Sequence, residues 1–149
     1  MRAVVQKCLR SSVVVDGVEI SAIGPGLMVL LAVKKGDDQK AAEYIMDKII
    51  NLRIFEDKQG KMNLSLLDTA GELMLVSQFT LCGDARKGRR PSFIEAEDPE
   101  VARELFTYCV EWGRARDIRV ETGVFAAHMQ VNLCNDGPCT ILLDSEKTF

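Results

Sequence analysis

The sequence predicts a single α/β domain of the α+β type, with about seven or eight strands, much antiparallel pairing and two main helices. Three observations predict it. Asp16-Gly17 sits between Val13-Val14-Val15 and Val18-Glu19-Ile20, a strong hairpin signal. Leu27 to Val33 is an unbroken apolar run, the pattern of a strand buried on both faces. Two other stretches repeat their apolar residues at helical spacing, so each carries one buried stripe.

Taken in order, Ala3 to Val5 and Val13 to Val15 are short β-prone runs. The Asp16-Gly17 turn follows, then Gly24-Pro25-Gly26 as punctuation before the Leu27 to Val33 strand. Asp37-Asp38 can cap a helix ending near Asn51, whose stripe is Ala42, Ile45, Met46, Ile49 and Ile50. Asp57-Lys58-Gln59-Gly60 is a turn. Glu72 to Phe79 is a strand, apolar at Leu73 to Val76, that runs into Ser77-Gln78-Phe79-Thr80-Leu81. In an extended chain, Ser77 and Phe79 face one side there, and Gln78 and Thr80 the other. Gly83 to Pro91 is a polar loop. Asp98-Pro99-Glu100 opens the second helix with a cap residue, a proline at its first position and an acid in its first turn. Its stripe is Ala102, Leu105, Phe106, Cys109 and Val110. Ile118 to Phe125, Met129 to Cys134 and Cys139 to Leu143 close the sheet as strands. Between the last two lies Asn135-Asp136-Gly137-Pro138-Cys139-Thr140. Proline lacks an N–H and cannot hold a ladder, so the chain bends, bulges or reaches an edge at Pro138.

Composition excludes several classes. The net charge of −3 does not mark a nucleic-acid binder, so any such contact needs a local patch. No apolar run approaches the ~18 residues of a membrane span. Met1-Arg2-Ala3-Val4-Val5 reads as a first strand and not as a signal peptide. The five cysteines form no C-x-x-C pair, and Cys8, Cys82, Cys109 and Cys134 lie in or beside apolar runs, which suits reduced, buried thiols in a cytoplasmic protein. Cys134 and Cys139 are poorly spaced for a metal.

Ordinary catalytic side chains are scarce. His128 is the chain's single histidine, in a stretch read as strand, and neither Ser77 nor Cys134 sits in a nucleophile elbow. There is no phosphate-binding loop and no cluster of metal ligands. What remains is a rim of donors at a strand end, Ser77, Gln78 and Thr80, with Phe79 as an apolar or stacking surface. A basic loop follows at once, with Arg86, Lys87, Arg89 and Arg90 within five residues. That loop suits phosphate contact as well as plain solvation. Arg114, Arg116 and Arg119 can extend the patch or simply complement a helix C-terminus.

Ser77-Gln78-Phe79-Thr80-Leu81 together with Asn135-Asp136-Gly137-Pro138-Cys139-Thr140 resembles the motif pair of the D-aminoacyl-tRNA deacylases, also called D-tyrosyl-tRNA deacylases. Gly60-Lys61-Met62-Asn63-Leu64, Arg90-Pro91-Ser92-Phe93 and Thr122-Gly123-Val124-Phe125-Ala126-Ala127 support the likeness, which spans residues 1–149 as one domain. The resemblance implies a homodimer with a mixed, largely antiparallel, barrel-like β core and active sites at the subunit interface. It implies hydrolysis of the ester joining a D-amino acid to the 3′-terminal adenosine of tRNA, with no metal or cofactor. Ser77, Gln78, Phe79 and Thr80 are the implied catalytic set, the oxyanion contact lying near Phe79 and Thr80. Gly137-Pro138, joined by a cis bond, is the implied chirality filter. Its carbonyl oxygens meet the substrate amino group in the partner's pocket, where L-aminoacyl groups collide and D-aminoacyl groups or glycine fit.

Asn135, Thr140 and Lys7 are expected to support the filter. Lys7 stands where relatives often have arginine, and Cys139 replaces a commoner valine. Arg86, Lys87, Arg89 and Arg90 are expected to contact tRNA. Two other functions stay open at this point. One is an editing domain of relaxed chirality acting on glycyl- or small L-aminoacyl-tRNA. The other is a non-catalytic dimer that binds tRNA or protein.

Overall fold

The computed structural model describes residues 1–148. Its spine is β1 (Arg2–Val15), a single long strand where two short ones are expected. The intervening residues stay in the sheet because their polar side chains find partners inside. Ser11 Oγ donates to the Asn132 carbonyl at 2.9 Å, and buried Lys7 meets Asp136. One edge of β1 is shared. Its first half pairs with β3 (Gly26–Ala32) and its second half with β2 (Val18–Ile23), both antiparallel. The other edge is taken by β8 (Gln130–Asp144), from Arg2 opposite Asp144 to Val14 opposite Gln130.

The expected Met129–Cys134 and Cys139–Leu143 strands are thus one. The irregularity between them is absorbed as a bulge. Gln6 faces Thr140 and Cys8 faces Asn135, so Lys7 alone stands opposite Asp136, Gly137, Pro138 and Cys139.

Beyond β3 the sheet continues in parallel with β6 (Glu72–Ser77) and then β7 (Val120–Thr122). The crossover from β3 to β6 carries α1 (Gln39–Asn51), capped as expected by Asp38, whose carboxylate accepts from the Ala41 N–H at 2.9 Å. It also carries a small hairpin of β4 (Phe55–Glu56) and β5 (Met62–Leu64), whose turn contains Asp57 to Gly60. Gly26 opens β3 rather than merely punctuating the chain. A Cβ there would lie 1.9 Å from the Glu72 carbonyl oxygen, so only glycine lets the two parallel strands approach.

The far side nearly closes. Ser21 Oγ of β2 donates to the Thr122 carbonyl of β7 at 2.7 Å, and Arg119 Nη2 to the Ala22 carbonyl at 3.4 Å. The result is a mixed, nearly closed barrel with two helices, and no helix among the described residues is long and apolar enough to cross a membrane.

α2 (Pro99–Arg114) lies beside α1. Asp98 occupies its cap position, but its carboxylate bonds no N–H of the first turn. Pro99 lessens the need, since it brings no N–H of its own. The helical stripes meet Ala3, Val5, Leu27, Val29, Leu31, Leu73 and Leu75 in the main core. The opposite face of the same strands forms a second core with Cys8, Val13, Ile23, Met28, Met74 and Val76. The two-sided burial read from the Leu27 run is therefore real.

Two strands end earlier than expected. Ile118 to Phe125 contributes only Val120–Thr122, because Asp117 turns with φ of 59° before it and the chain leaves the sheet after it. β6 stops at Ser77, and Phe79–Cys82 forms one 3-10 turn. The neighbour explains this. Ser77 pairs with Leu31 near the end of β3, and the Gln78 N–H still reaches the Leu31 carbonyl at 2.8 Å. The β3–β6 pairing ends there. The carbonyls of Gln78 and Thr80 take the N–H groups of Leu81 and Gly83 instead.

All five cysteines are free thiols, but Cys134 is exposed, contrary to expectation, because it points outward from β8. Burial pushes the Cys8 thiol up to about 11 and the Cys109 thiol up to about 12, leaving both protonated at neutral pH.

Candidate active site

The 3-10 turn undoes the simple alternation expected of Ser77 to Thr80. Ser77 and Gln78 are half-buried, whereas Phe79 and Thr80 are both exposed at the rim. Gln78 donates its side-chain amide to Thr80 Oγ1. A donor on that oxygen occupies a lone pair and does nothing to make the hydroxyl a better nucleophile.

Ser77, Gln78 and Phe79 form one wall of a pocket of about 420 Å3. The facing wall is the loop from Phe125 to Met129, and Glu97, Pro99 and Ala102 close one side from the start of α2. Val33, Val76 and Val131 add apolar surface. The pocket's two titratable side chains are Glu97 and His128. Glu97 is held in place by the N–H groups of Asp98 at 2.9 Å and Gly36 at 3.3 Å. His128 is exposed in the loop, not part of a strand as its sequence context suggests. The early end of β7 frees that loop to cross the pocket, with Ala126 at φ of 63°.

The Gly137-Pro138 bulge is a separate, braced protrusion. The peptide bond between the two residues is cis, Gly137 has φ of 121°, and both residues are exposed. Asn135 straddles its base, donating Nδ2 to the Lys7 carbonyl at 2.9 Å and to the Cys139 carbonyl at 3.1 Å. Lys7 Nζ lies 3.0 Å from Asp136 Oδ2. Thr140 is exposed and rejoins the β1 ladder opposite Gln6. None of residues 135–140 lines the pocket of their own chain. The structure thus brings Ser77, Gln78 and Phe79 together in a cavity, with Thr80 beside them. It gathers Lys7, Asn135, Gly137 and Pro138 elsewhere.

The basic loop divides. Arg86 forks onto Asp84 with contacts of 2.9 and 2.7 Å, and its guanidinium holds that carboxyl well below the usual carboxylate range. Lys87, Arg89 and Arg90 are exposed and have no ion pair among the described residues. Arg114, Arg116 and Arg119 each have a local partner. Arg114 pairs with Glu111, Arg116 lies over the Trp112 ring, and Arg119 pairs with Glu72 and Glu121.

Sequence reasoning missed Glu97, Met129 and the pocket position of His128. The stretch Gly123 to Ala127 was the available signal for the facing wall, though its motif likeness carries no geometry. Among the described residues no group of three or more His, Cys, Asp or Glu side chains is placed to hold a metal ion.

This barrel is a known one. A solved structure described as a probable eukaryotic D-amino acid tRNA deacylase superposes with a TM-score of 0.77 over 95% of this chain and 97% of its own, at 20% identity, which is likeness of fold. A second, described as the c-Myc DNA unwinding element binding protein, superposes with a TM-score of 0.91 at 44% identity, covering 97% of this chain and 98% of its own. A D-aminoacyl-tRNA deacylase of Syntrophomonas wolfei subsp. wolfei is 61% identical over 149 residues, all of both chains. The family model described as D-Tyr-tRNA(Tyr) deacylase matches residues 4–144. The chain belongs to this deacylase family, and the family's enzymes are hydrolases.

Proposed function

We propose that the chain hydrolyses the ester of D-aminoacyl-tRNA at its 3′-terminal adenosine, releasing the D-amino acid and tRNA, and rejects L-aminoacyl esters by collision with Gly137-Pro138. The observation that carries this reading is the separation of the two motifs. The pocket at Ser77 to Phe79 has no amino-group acceptor from residues 135–140, and the braced bulge lies outside that pocket in its own chain. A second copy supplies each with the other. The outer edge of β8, with Leu142 exposed, pairs with no other strand among the described residues and suits a homodimer contact. The whole chain acts as one domain in this reading, and its four buried thiols suit the cytosol.

The chemistry asks little of side chains. An ester between an aminoacyl group and a ribose is activated, so positioning and donors to the developing oxyanion carry most of the acceleration. The N–H groups of Phe79 and Thr80 open the 3-10 turn, where the first donors have no acceptor within the turn. They are the proposed oxyanion contact, with the neighbouring ribose 2′-hydroxyl assisting. Ser77 and Gln78 shape the pocket, and Lys87, Arg89 and Arg90 meet tRNA phosphates. Carbonyl oxygens of Gly137-Pro138 receive the substrate amino group. Because they read the α-carbon and not the side chain, many D-amino acids and glycine are substrates.

Hydrolysis of D-tyrosyl-, L-tyrosyl- and glycyl-tRNA, with and without EDTA, tests this. The D-ester and the glycyl ester are cleaved and the L-ester is spared, whether or not EDTA is present. Equal cleavage of the L-ester would mean relaxed chirality, and cleavage of none would mean a binding protein. Thr80→Ala is expected to keep its rate within about threefold, since a backbone N–H survives the substitution. A loss of several orders of magnitude in single-turnover assays would make the hydroxyl the nucleophile instead.

A further inference from the structure

Phe79 and Phe93 are both large aromatic side chains left in solvent, 56% and 37% exposed. Their rings meet edge to face, with centroids 5.2 Å apart and an interplanar angle of 70°. The arrangement is built. Gly83 lies beneath Phe93, where a Cβ would come within 3.0 Å of the ring and 2.9 Å of the Thr80 carbonyl. Reciprocal hydrogen bonds of 2.8 Å between Asp84 and Ser92 close the basic loop directly beside Phe93. Asp84 engages Arg86 and leaves Lys87, Arg89 and Arg90 unpaired among the described residues. A chain of net charge −3 therefore sets three free cations beside an exposed aromatic pair. Phe79 lines the pocket and Phe93 does not, so the platform leads outward from it.

We propose that Phe93, edge to face with Phe79, stacks an unpaired nucleotide preceding the terminal adenosine, while Lys87, Arg89 and Arg90 hold that tail's phosphates. The inference rests on the reading of tRNA as substrate. A flexible single-stranded polyanion is the occupant that fits both halves, because any base offers a π face and the loop offers positive charge. An apolar protein surface would use the aromatic pair but leave the cations unmatched.

Two substrates separate the platform from the pocket: D-tyrosyl-tRNA, and D-tyrosine esterified to the 3′-hydroxyl of free adenosine. Phe93→Leu keeps an apolar seat over Gly83 and removes the stacking face. It is expected to lower kcat/KM on the tRNA about tenfold or more, with the adenosine ester changed less than about twofold. Phe93→Trp is expected to restore the tRNA rate. Replacing Lys87, Arg89 and Arg90 by glutamine is expected to flatten the salt dependence of tRNA binding by about 2 in log–log slope. Equal loss on both substrates would make Phe93 structural and overturn the proposal, as would no loss on either. A change of oligomeric state in Phe93→Leu by sedimentation would assign the patch to a contact between copies. Failure of the unaltered protein on both esters would instead overturn the reading of its function.

Discussion

Gly137→Ala is expected to lower kcat/KM on D-tyrosyl-tRNA at least about a hundredfold while leaving most of the fold intact. The cause is local. Gly137 has φ of 121°, a backbone region closed to residues with a side chain, and a Cβ there would lie 2.9 Å from the Cys139 N–H nitrogen. Relief requires the bulge to move. The strain costs about 1–3 kcal/mol, and it falls on an exposed protrusion that touches the main core only through Cys139. Melting by circular dichroism is therefore expected to shift by about 3–10 degrees while the proposed carbonyl contacts to the substrate amino group are lost. A variant of unchanged rate would remove Gly137 from the site. A variant that fails to fold would mean that the bulge also organises the β1–β8 pairing.

The second large effect concerns Lys7, which is 6% exposed and reaches Asp136 at 3.0 Å. Asp136→Asn leaves the buried ammonium facing a neutral amide, whereas Lys7→Met removes the buried charge and fills the space with apolar volume. Breaking such a pair from the carboxylate side costs about 2 kcal/mol, after allowance for the partial exposure of Asp136, and the apolar replacement is close to neutral. Urea unfolding is expected to show a lower midpoint for Asp136→Asn and little change for Lys7→Met. Both lose activity, by about tenfold or more, because each unties the bulge. Lys7→Arg keeps the charge and is expected to retain function. Equal stability of all three would mean that the ion pair is not formed in solution.

Much of the fold was legible because its signals are local. Asp38 caps α1 as its side chain allows, and Asp16-Gly17 turns the first hairpin. The Leu27 to Val33 run proved to lie between two cores because an apolar stretch without alternation has no face to offer water. Features set by distant partners were hidden. The polar residues between the Ala3–Val5 and Val13–Val15 runs include Lys7 and Ser11, which lie inside because Asp136 and the Asn132 carbonyl, more than a hundred residues away, satisfy them. The 3-10 turn at Phe79 depends on where β3 runs out, which no periodicity in β6 reveals. His128 reaches the pocket because β7 ends early. The Gly-Pro interruption announced a break in the ladder through its chemistry, whereas its form as a bulge and the brace made by Lys7 and Asn135 required the β1–β8 register. Within the basic loop, only the structure separates Arg86, already matched by Asp84, from its three unpaired neighbours.

The central claim is that the pocket of one copy is completed by Gly137-Pro138 of another. Subunit mixing tests it most directly. One chain carries Gly137→Ala with an intact pocket. The other carries Ala127→Trp, which fills the pocket and leaves the bulge intact. Each is expected to be inactive alone. Unfolded together in equal amounts and refolded, they pair at random, half of the dimers are mixed, and each mixed dimer has one whole site. D-tyrosyl-tRNA hydrolysis is then expected to return to about a quarter of the unaltered rate. No recovery in mixtures shown to contain mixed dimers, or full sedimentation as a monomer, would contradict the account.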